Sequence, residues 1–232
     1  MNLHQIAVAR NGFCDKFGIP RQSRNESSIE TRIVFEPEFR NPDAIRGIEG
    51  FSHLWLVWGF SKTAELSEQG TQTTWKATVR PPRLGGNTRM GVFATRSPFR
   101  PNPIGLTSVK LLRVEETKDG SVLVVSGADL LNGTPIYDIK PYLRYSDSHP
   151  DAVDGFAEQN AGYELEIQNP DFPDVPDKVM RDILYILRQD PRPAYQDDAE
   201  RIYKLDYAGY NVSFNVNKDK VCILNITKSD KK

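Results

Sequence analysis

The residues best suited to chemistry are five arginines, Arg80, Arg83, Arg89, Arg96 and Arg100, set among five prolines and four glycines in RPPRLGGNTRMGVFATRSPFRPNPIG, residues 80–105. No aspartate or glutamate occurs between Glu68 and Glu115, while Lys76, Lys110 and Arg113 add to the same sign, in a chain whose formal net charge is only -1. A guanidinium is a rigid fork of donors that matches carboxylate and phosphate oxygens. Proline fixes φ and glycine frees it, so such a stretch is a shaped loop around short strand rather than helix. A solvated basic face is the plainer alternative, but ordinary surfaces favour lysine and mixed signs. Phe13, Phe17, Phe93 and Phe99 interleave with the basic residues, as a base-stacking or cation-binding surface requires. The chemistry is recognition of an anion, with nucleic acid the first candidate.

Two further stretches carry polar groups on restrained backbone. In DKFGIPRQSRN, Gly18 and Pro20 impose a turn that displays Lys16, Arg21, Gln22 and Arg24. In ADLLNGTPIYDIKPYL, Asp129 and Asp138 flank the turn Asn132–Pro135 on otherwise apolar segments. An aspartate so placed either caps backbone amides or accepts from a ligand amine or hydroxyl. His53, at the head of a hydrophobic run, reads as a satisfied core histidine rather than a catalyst. Several chemistries are not supported. There is no Walker motif, and Gly85-Gly86-Asn87 precedes a strand instead of opening a helix, the wrong order for a dinucleotide fingerprint. Three histidines and two distant cysteines, Cys14 and Cys222, indicate neither a metal site nor a disulfide framework.

The elements that must position these residues are mostly strands. Residues 3–10, 31–35, 74–80, 90–95, 104–114 and 121–126 read as strands, and GFSHLWLVWGF at 50–60 as a fully buried central one. A short helix is expected near 43–46, and Lys118-Asp119-Gly120 signals a hairpin turn. Short strands at regular spacing with Gly/Pro turns indicate a sandwich or barrel over the first 145 or so residues. After a polar, acidic stretch the pattern changes: an edge strand at 163–167, one convincing helix at 174–189 capped by Asp174, and a meander of strands at 202–205, 211–216 and 221–226. From Asp151 onward acids outnumber bases by 16 to 11, so the basic face belongs to the first part. With 232 residues, 38% hydrophobic and 26% charged, the chain has the composition of a soluble globular protein. No apolar run approaches the roughly 20 residues of a membrane span and the N-terminus does not read as a signal peptide, so a cytoplasmic protein is expected.

The motifs KFGIPRQ (16–22), GFSHLWLVWGF (50–60), RPPRLGGNTRMGVFATRSPFRPNPIGL (80–106) and DLLNGTPIYDIKPYL (129–143) closely resemble the tRNA N6-methyltransferase family of the TrmO (YaeB) type. The likeness covers most of residues 5–148, and DPRPAY (190–195) adds a C-terminal match. The resemblance implies an S-adenosyl-L-methionine-dependent enzyme on a β-barrel; with the element pattern, a mainly β protein is expected, with an N-terminal β-barrel domain, 1–148, and a small α+β C-terminal accessory domain, 149–232. The resemblance also implies a homodimer with the cofactor near the subunit interface and tRNA as partner, while the residues themselves give no reason to expect a metal. The substrate would be the threonylcarbamoyl-modified adenosine beside the anticodon, methylated on N6. A non-catalytic RNA-binding β-barrel using the same arginine face is the competing reading.

By motif match the resemblance places the cofactor site at Pro20, Arg21, Gln22, Ser23, Phe60, Ser61, Lys62, Arg96, Leu106, Gly127, Ala128, Asp129 and Leu130. In it Arg96 is the polar anchor, Asp129 the acceptor for an amine or ribose hydroxyl, and Leu106 apolar wall. RNA is expected at Arg80, Arg83, Arg89 and Arg100, with Arg192 of DPRPAY as a local C-terminal contact. Two positions depart from the family pattern, Ser61 where relatives often carry histidine and Asn132 where they often carry aspartate.

Overall fold

The computed structural model describes residues 3–19, 29–60, 75–81, 84, 87–160, 164–168, 172–192 and 198–229. Six antiparallel strands close on themselves in the order β1-β2-β7-β6-β3-β8: β1 Ala7–Arg10, β2 Glu30–Phe35, β3 His53–Gly59, β6 Ile104–Thr117, β7 Gly120–Ser126 and β8 Pro135–Pro141. The ring closes where Ala7 pairs with Ile136 and Val8 with Pro135. Alternate side chains point inward. Ala7, Ala9, Ile33, Leu54, Leu56, Val109, Leu123, Val125 and Ile136 fill the interior, each buried. The period-2 patterning of β2 and β6 therefore sets which face each residue serves, and a one-residue slip would exchange the two faces.

Two short strands, β4 Thr78–Val79 and β5 Met90–Gly91, pair apart from the ring. The sequence predicts a buried strand over 90–95, but after Gly91 the chain turns through a 3-10 segment, Val92–Ala94. The reason is local competition for carbonyls. Thr95 Oγ1 donates to Val92 O at 2.9 Å, and Arg100 Nη1 donates to Thr95 O at 2.7 Å and to Val92 O at 3.3 Å. Acceptors that a strand would offer a neighbour are thereby taken. The expected helix near 43–46 is likewise a single 3-10 turn, Pro42–Ile45, capped by the Asn41 side chain.

The C-terminal part is a four-stranded sheet in the order β10-β11-β12-β9, built from β9 Glu166–Gln168, β10 Tyr203–Tyr207, β11 Tyr210–Asn217 and β12 Lys220–Lys228. The helix Asp177–Arg188 buries Ile183, Ile186 and Leu187 in one core with residues of this sheet. It starts three residues after the expected cap, because Phe172 O accepts from Val175 N and that turn occupies the Asp174 region, leaving Pro176 to set the entry. Phe13 and Ile29 from the N-terminal third also belong to this core. Gly18, at φ 98°, lets the chain pass Leu205, whose Cδ1 stands 2.1 Å from where a Cβ would be. No helix among the described residues is long and apolar enough to cross a membrane, and no cluster of three or more His, Cys, Asp or Glu side chains able to hold a metal occurs among them.

Candidate cofactor site and cationic surface

The site is built where β3, β6 and the segment after β7 meet. Trp58 on β3 faces Gly105 on β6, and a Cβ at Gly105 would lie 2.2–2.6 Å from indole atoms, so only glycine admits the ring there. The Trp58 Nε1–H donates to Thr107 Oγ1 at 3.0 Å, and the Thr107 hydroxyl donates to Asp129 Oδ1 at 2.9 Å. Phe60 packs against Trp58 with ring centroids 4.5 Å apart. The main chain that follows Asp129 is fixed as well. Asn11 Nδ2 donates to Leu130 O at 2.9 Å and to Thr31 Oγ1 at 3.2 Å, while its Oδ1 accepts from Phe13 N. Asn132 Oδ1 in turn accepts from Asn11 N at 3.2 Å, a bond that an aspartate oxygen would make equally.

The same carboxyl is electrostatically perturbed. Burial pushes the Asp129 pKa up, opposed by the Thr107 hydrogen bond, by its own backbone amide and by the charge of Arg96. Asp138, the other candidate, is engaged locally: Oδ1 accepts from Ile139 N at 3.0 Å and Oδ2 pairs with Lys140 at 2.9 Å. That is the capping alternative. His53 is half-buried and not part of the core, with Ser52 Oγ 2.9 Å from its Nδ1 and the Tyr142 ring beside it.

The described members of the expected cofactor set do not all share one face. Phe60 and Asp129, with its chain neighbours Gly127, Ala128 and Leu130, lie at the Trp58–Thr107 end of the ring, Ala128 and Leu130 in its core, and Arg96 acts on Asp129 through its charge. Leu106 alternates to the outside of β6, paired with Val57 and 57% exposed, on the opposite face from Thr107. Pro20, Arg21, Gln22, Ser23, Ser61, Lys62 and Arg83 lie outside the described residues.

The cationic loop is held as a compact unit. Lys76 N donates to Phe99 O, and Val92 N to Ala77 O. Arg80, Arg89 and Arg96 are exposed, and among the described residues none of them forms an ion pair. Arg100 differs, because its Nη1 donates to the Val92 and Thr95 carbonyls. The four phenylalanines of the interleaved pattern separate. Phe93 is 72% exposed under the Arg100 guanidinium, and Phe99 is exposed with Lys76 Nζ 4.9 Å from its ring centre. Phe13 is buried and Phe17 stacks with Tyr203 and Phe214, so these two serve the C-terminal core, not a surface. Trp75, half exposed, lies next to Lys76 and was not singled out by the sequence pattern. Arg192 is not an open contact either. It is buried, with Nε and Nη2 on the two Asp190 oxygens at 2.9 and 3.0 Å.

Thr107 and Trp58 are the site residues that sequence reasoning misses. Their types are ordinary for a strand, and only the β3–β6 register brings them together.

Residues 8–148 match the model of the tRNA-methyltransferase O N-terminal domain, and residues 163–229 that of the TrmO C-terminal domain. The chain is 40% identical over 225 residues to the tRNA (adenine(37)-N6)-methyltransferase of Escherichia coli K12, covering 91% of this chain and 92% of that protein. It is 38% identical over 207 residues to a Pseudomonas aeruginosa protein named putative S-adenosylmethionine-dependent methyltransferase RcsF, covering 82% and 81% respectively. The crystal structure of TrmO from Pseudomonas aeruginosa superposes with a TM-score of 0.73 at 27% identity over 98% of both chains. With both parts matched by its domain models, this chain belongs to the tRNA-methyltransferase O family.

Proposed function

We propose that the protein is an S-adenosylmethionine-dependent tRNA methyltransferase acting on N6 of adenosine 37, in its threonylcarbamoyl-modified form. The observation that carries this reading is the hydrogen-bonded Trp58–Thr107–Asp129 arrangement, with the Arg96 charge acting on Asp129, in a chain of a family whose members are so named. The donor set fits the cofactor chemically. Arg96 offers a guanidinium for the methionine carboxylate. Asp129 offers an acceptor for an amine or ribose hydroxyl, and Phe60 and Trp58 offer aromatic faces that favour a cationic sulfonium. When bound, S-adenosylmethionine supplies an activated methyl group. The residues' task is then to position the nucleophile and exclude water, not to supply a nucleophile of their own.

In this reading Arg80, Arg83 and Arg89 hold tRNA phosphates, and the exposed Phe93 and Phe99 rings stack on unpaired bases. Leu106 stands outside the ring, which favours a homodimer whose second copy covers that face and brings it to a shared cofactor site. Residues 1–148 form the methyltransferase β-barrel, 149–232 an accessory domain, and the enzyme works in the cytoplasm where tRNA matures.

Two measurements test the proposal. Calorimetry with S-adenosylmethionine and no RNA should show binding. Incubation with tRNA carrying the modified adenosine, followed by nucleoside mass analysis, should show the gain of one methyl group. RNA binding without cofactor affinity would identify a non-catalytic RNA-binding module instead.

A further inference from the structure

Thr107 is almost fully buried inside the ring, yet its hydroxyl has no freedom of role. A threonine hydroxyl has one proton to give and lone pairs to receive, whereas the Trp58 indole nitrogen can only donate. With Trp58 Nε1 3.0 Å from Thr107 Oγ1, the oxygen must accept from the indole. Its single proton is then directed to Asp129 Oδ1, 2.9 Å away. The direction of the chain is thus set by the one member that cannot reverse. Trp58 is itself pinned by Phe60 at 4.5 Å and by the bare Cα of Gly105.

We propose, resting on the reading above, that Thr107 is a positioning residue that holds Asp129 as a hydrogen-bond acceptor for an amino or hydroxyl donor of the bound adenosyl group. A carboxyl drawn out of water tends to take up a proton, and a protonated carboxyl would offer such a ligand a competing donor. The fixed hydroxyl opposes this by stabilising the ionised form. Among the described residues, Arg96 is the charged group that assists it, and the other restraint is the amide of Asp129 itself. Thr107 needs no contact with the ligand to act. It sets the orientation and charge of the group that makes the contact.

The test uses the full chain, with Thr107→Val as a near-isosteric variant and Thr107→Ser as the variant that keeps the hydroxyl. In ligand-free protein, the indole N–H resonance of Trp58 and the side-chain carboxyl resonance of Asp129 are followed across pH. Thr107→Val should shift the Trp58 resonance and move the Asp129 titration to higher pH, and Thr107→Ser should restore both. Calorimetry with S-adenosylmethionine should then show about tenfold weaker binding for Thr107→Val at neutral pH, with the loss of affinity on acidification beginning at higher pH. A folded Thr107→Val protein with an unchanged Asp129 titration overturns the inference. So does a Thr107→Ser protein that behaves like Thr107→Val. If the wild type binds no S-adenosylmethionine, the functional reading fails and the adenosyl part of the inference with it, whereas the resonances decide separately whether Thr107 governs Asp129.

Discussion

Phe13 meets Tyr207 edge-on, with ring centroids 5.2 Å apart and planes at 64°, although the two residues come from opposite ends of the chain. Gly12 O accepts from Ala208 N alongside them, and the Tyr207 hydroxyl donates to the buried Asp182 carboxylate of the helix at 2.9 Å. Burial and the neighbouring Asp182 charge raise the pKa of that hydroxyl, so it remains a neutral donor. The segment that follows β1 is therefore seated in the core of the C-terminal sheet and helix.

This seating governs what truncation does. From sequence, a fragment ending near Ser148 that stays folded is expected to keep its cofactor site and to methylate tRNA less well. Yet Phe13 and Ile29 are buried against the C-terminal elements, and Phe17 and Ile19 pack on the same core. Removing residues 149–232 would expose all four. The fragment should bind a hydrophobic dye and melt without the sharp transition of the full chain. In the full chain, Phe13→Ala should cost about 3–5 kcal/mol in denaturant unfolding. A monodisperse fragment melting as cooperatively as the parent would show that the N-terminal part stands alone.

The strands of the ring are legible because Thr31–Phe35, 50–60 and 104–114 announce themselves by alternation or by a continuous apolar run, although the second is strand only over His53–Gly59 and buries alternate residues instead of being fully buried. Asp129 is legible as a carboxylate on an apolar segment. The 90–95 stretch misleads because its apolar residues look like a strand, while the groups that divert it, Thr95 and Arg100, act through side-chain bonds that a periodicity argument does not contain. Phe13 and Phe17 mislead for a different reason. Their basic neighbours suggest a surface, but burial is decided by a sheet nearly 200 residues further along the chain. The Trp58–Thr107 bond depends on strand register, which no local pattern specifies.

Arg96 is exposed, carries no ion pair among the described residues, and acts on Asp129 through its charge. Arg96→Ala should weaken S-adenosylmethionine binding by roughly 1.5–3 kcal/mol, the contribution of a hydrogen bond to a charged group. Calorimetry checks this, and unchanged affinity would remove Arg96 from the cofactor site.

The loop arginines should not respond alike to salt. Arg80 and Arg89 are exposed, so each alanine variant should reduce the slope of log affinity for tRNA against log salt by about one. Arg100→Ala should leave that slope nearly unchanged and instead loosen the Val92–Ala94 turn, because its guanidinium already serves two carbonyls. Filter binding across a salt series separates the two classes. An Arg100→Ala slope change equal to that of Arg80→Ala would show that Arg100 also neutralises a phosphate.

Phe93 presents 72% of its surface to solvent, so truncating it removes little packing from the fold. Phe93→Ala should keep the melting temperature within the small range of surface substitutions while costing about 1–3 kcal/mol in tRNA affinity, the range for a base stacked on an aromatic ring. Fluorescence anisotropy with tRNA measures the loss, and sizing of the same variant reports on the alternative. A shift in oligomeric state with tRNA affinity intact would assign the ring to a contact between two copies of the chain.

Glu30 ties the ring to the C-terminal helix. Its oxygens accept from Arg113 Nη1 at 2.8 Å and from Lys178 Nζ at 2.6 Å, and these two hydrogen bonds lower its pKa from 4.5 to about 2. A carboxyl whose pKa is depressed by folding contributes stability that is complete above its unfolded value and is lost as the folded protein takes up the proton. The contribution should therefore be full above about pH 4.5 and vanish as the pH falls through about 2. Glu30→Gln keeps the shape and removes the charge. It should lower stability at pH 7 by about 1 kcal/mol, the upper end for pairs that water still reaches. The gap between the variant and the parent should narrow as the pH is lowered from 4.5 toward 2. Urea midpoints measured at pH 7, 4 and 2.5 follow it directly. A gap that stays constant over that range would mean that the amide disturbs packing and that the charge of Glu30 contributes nothing.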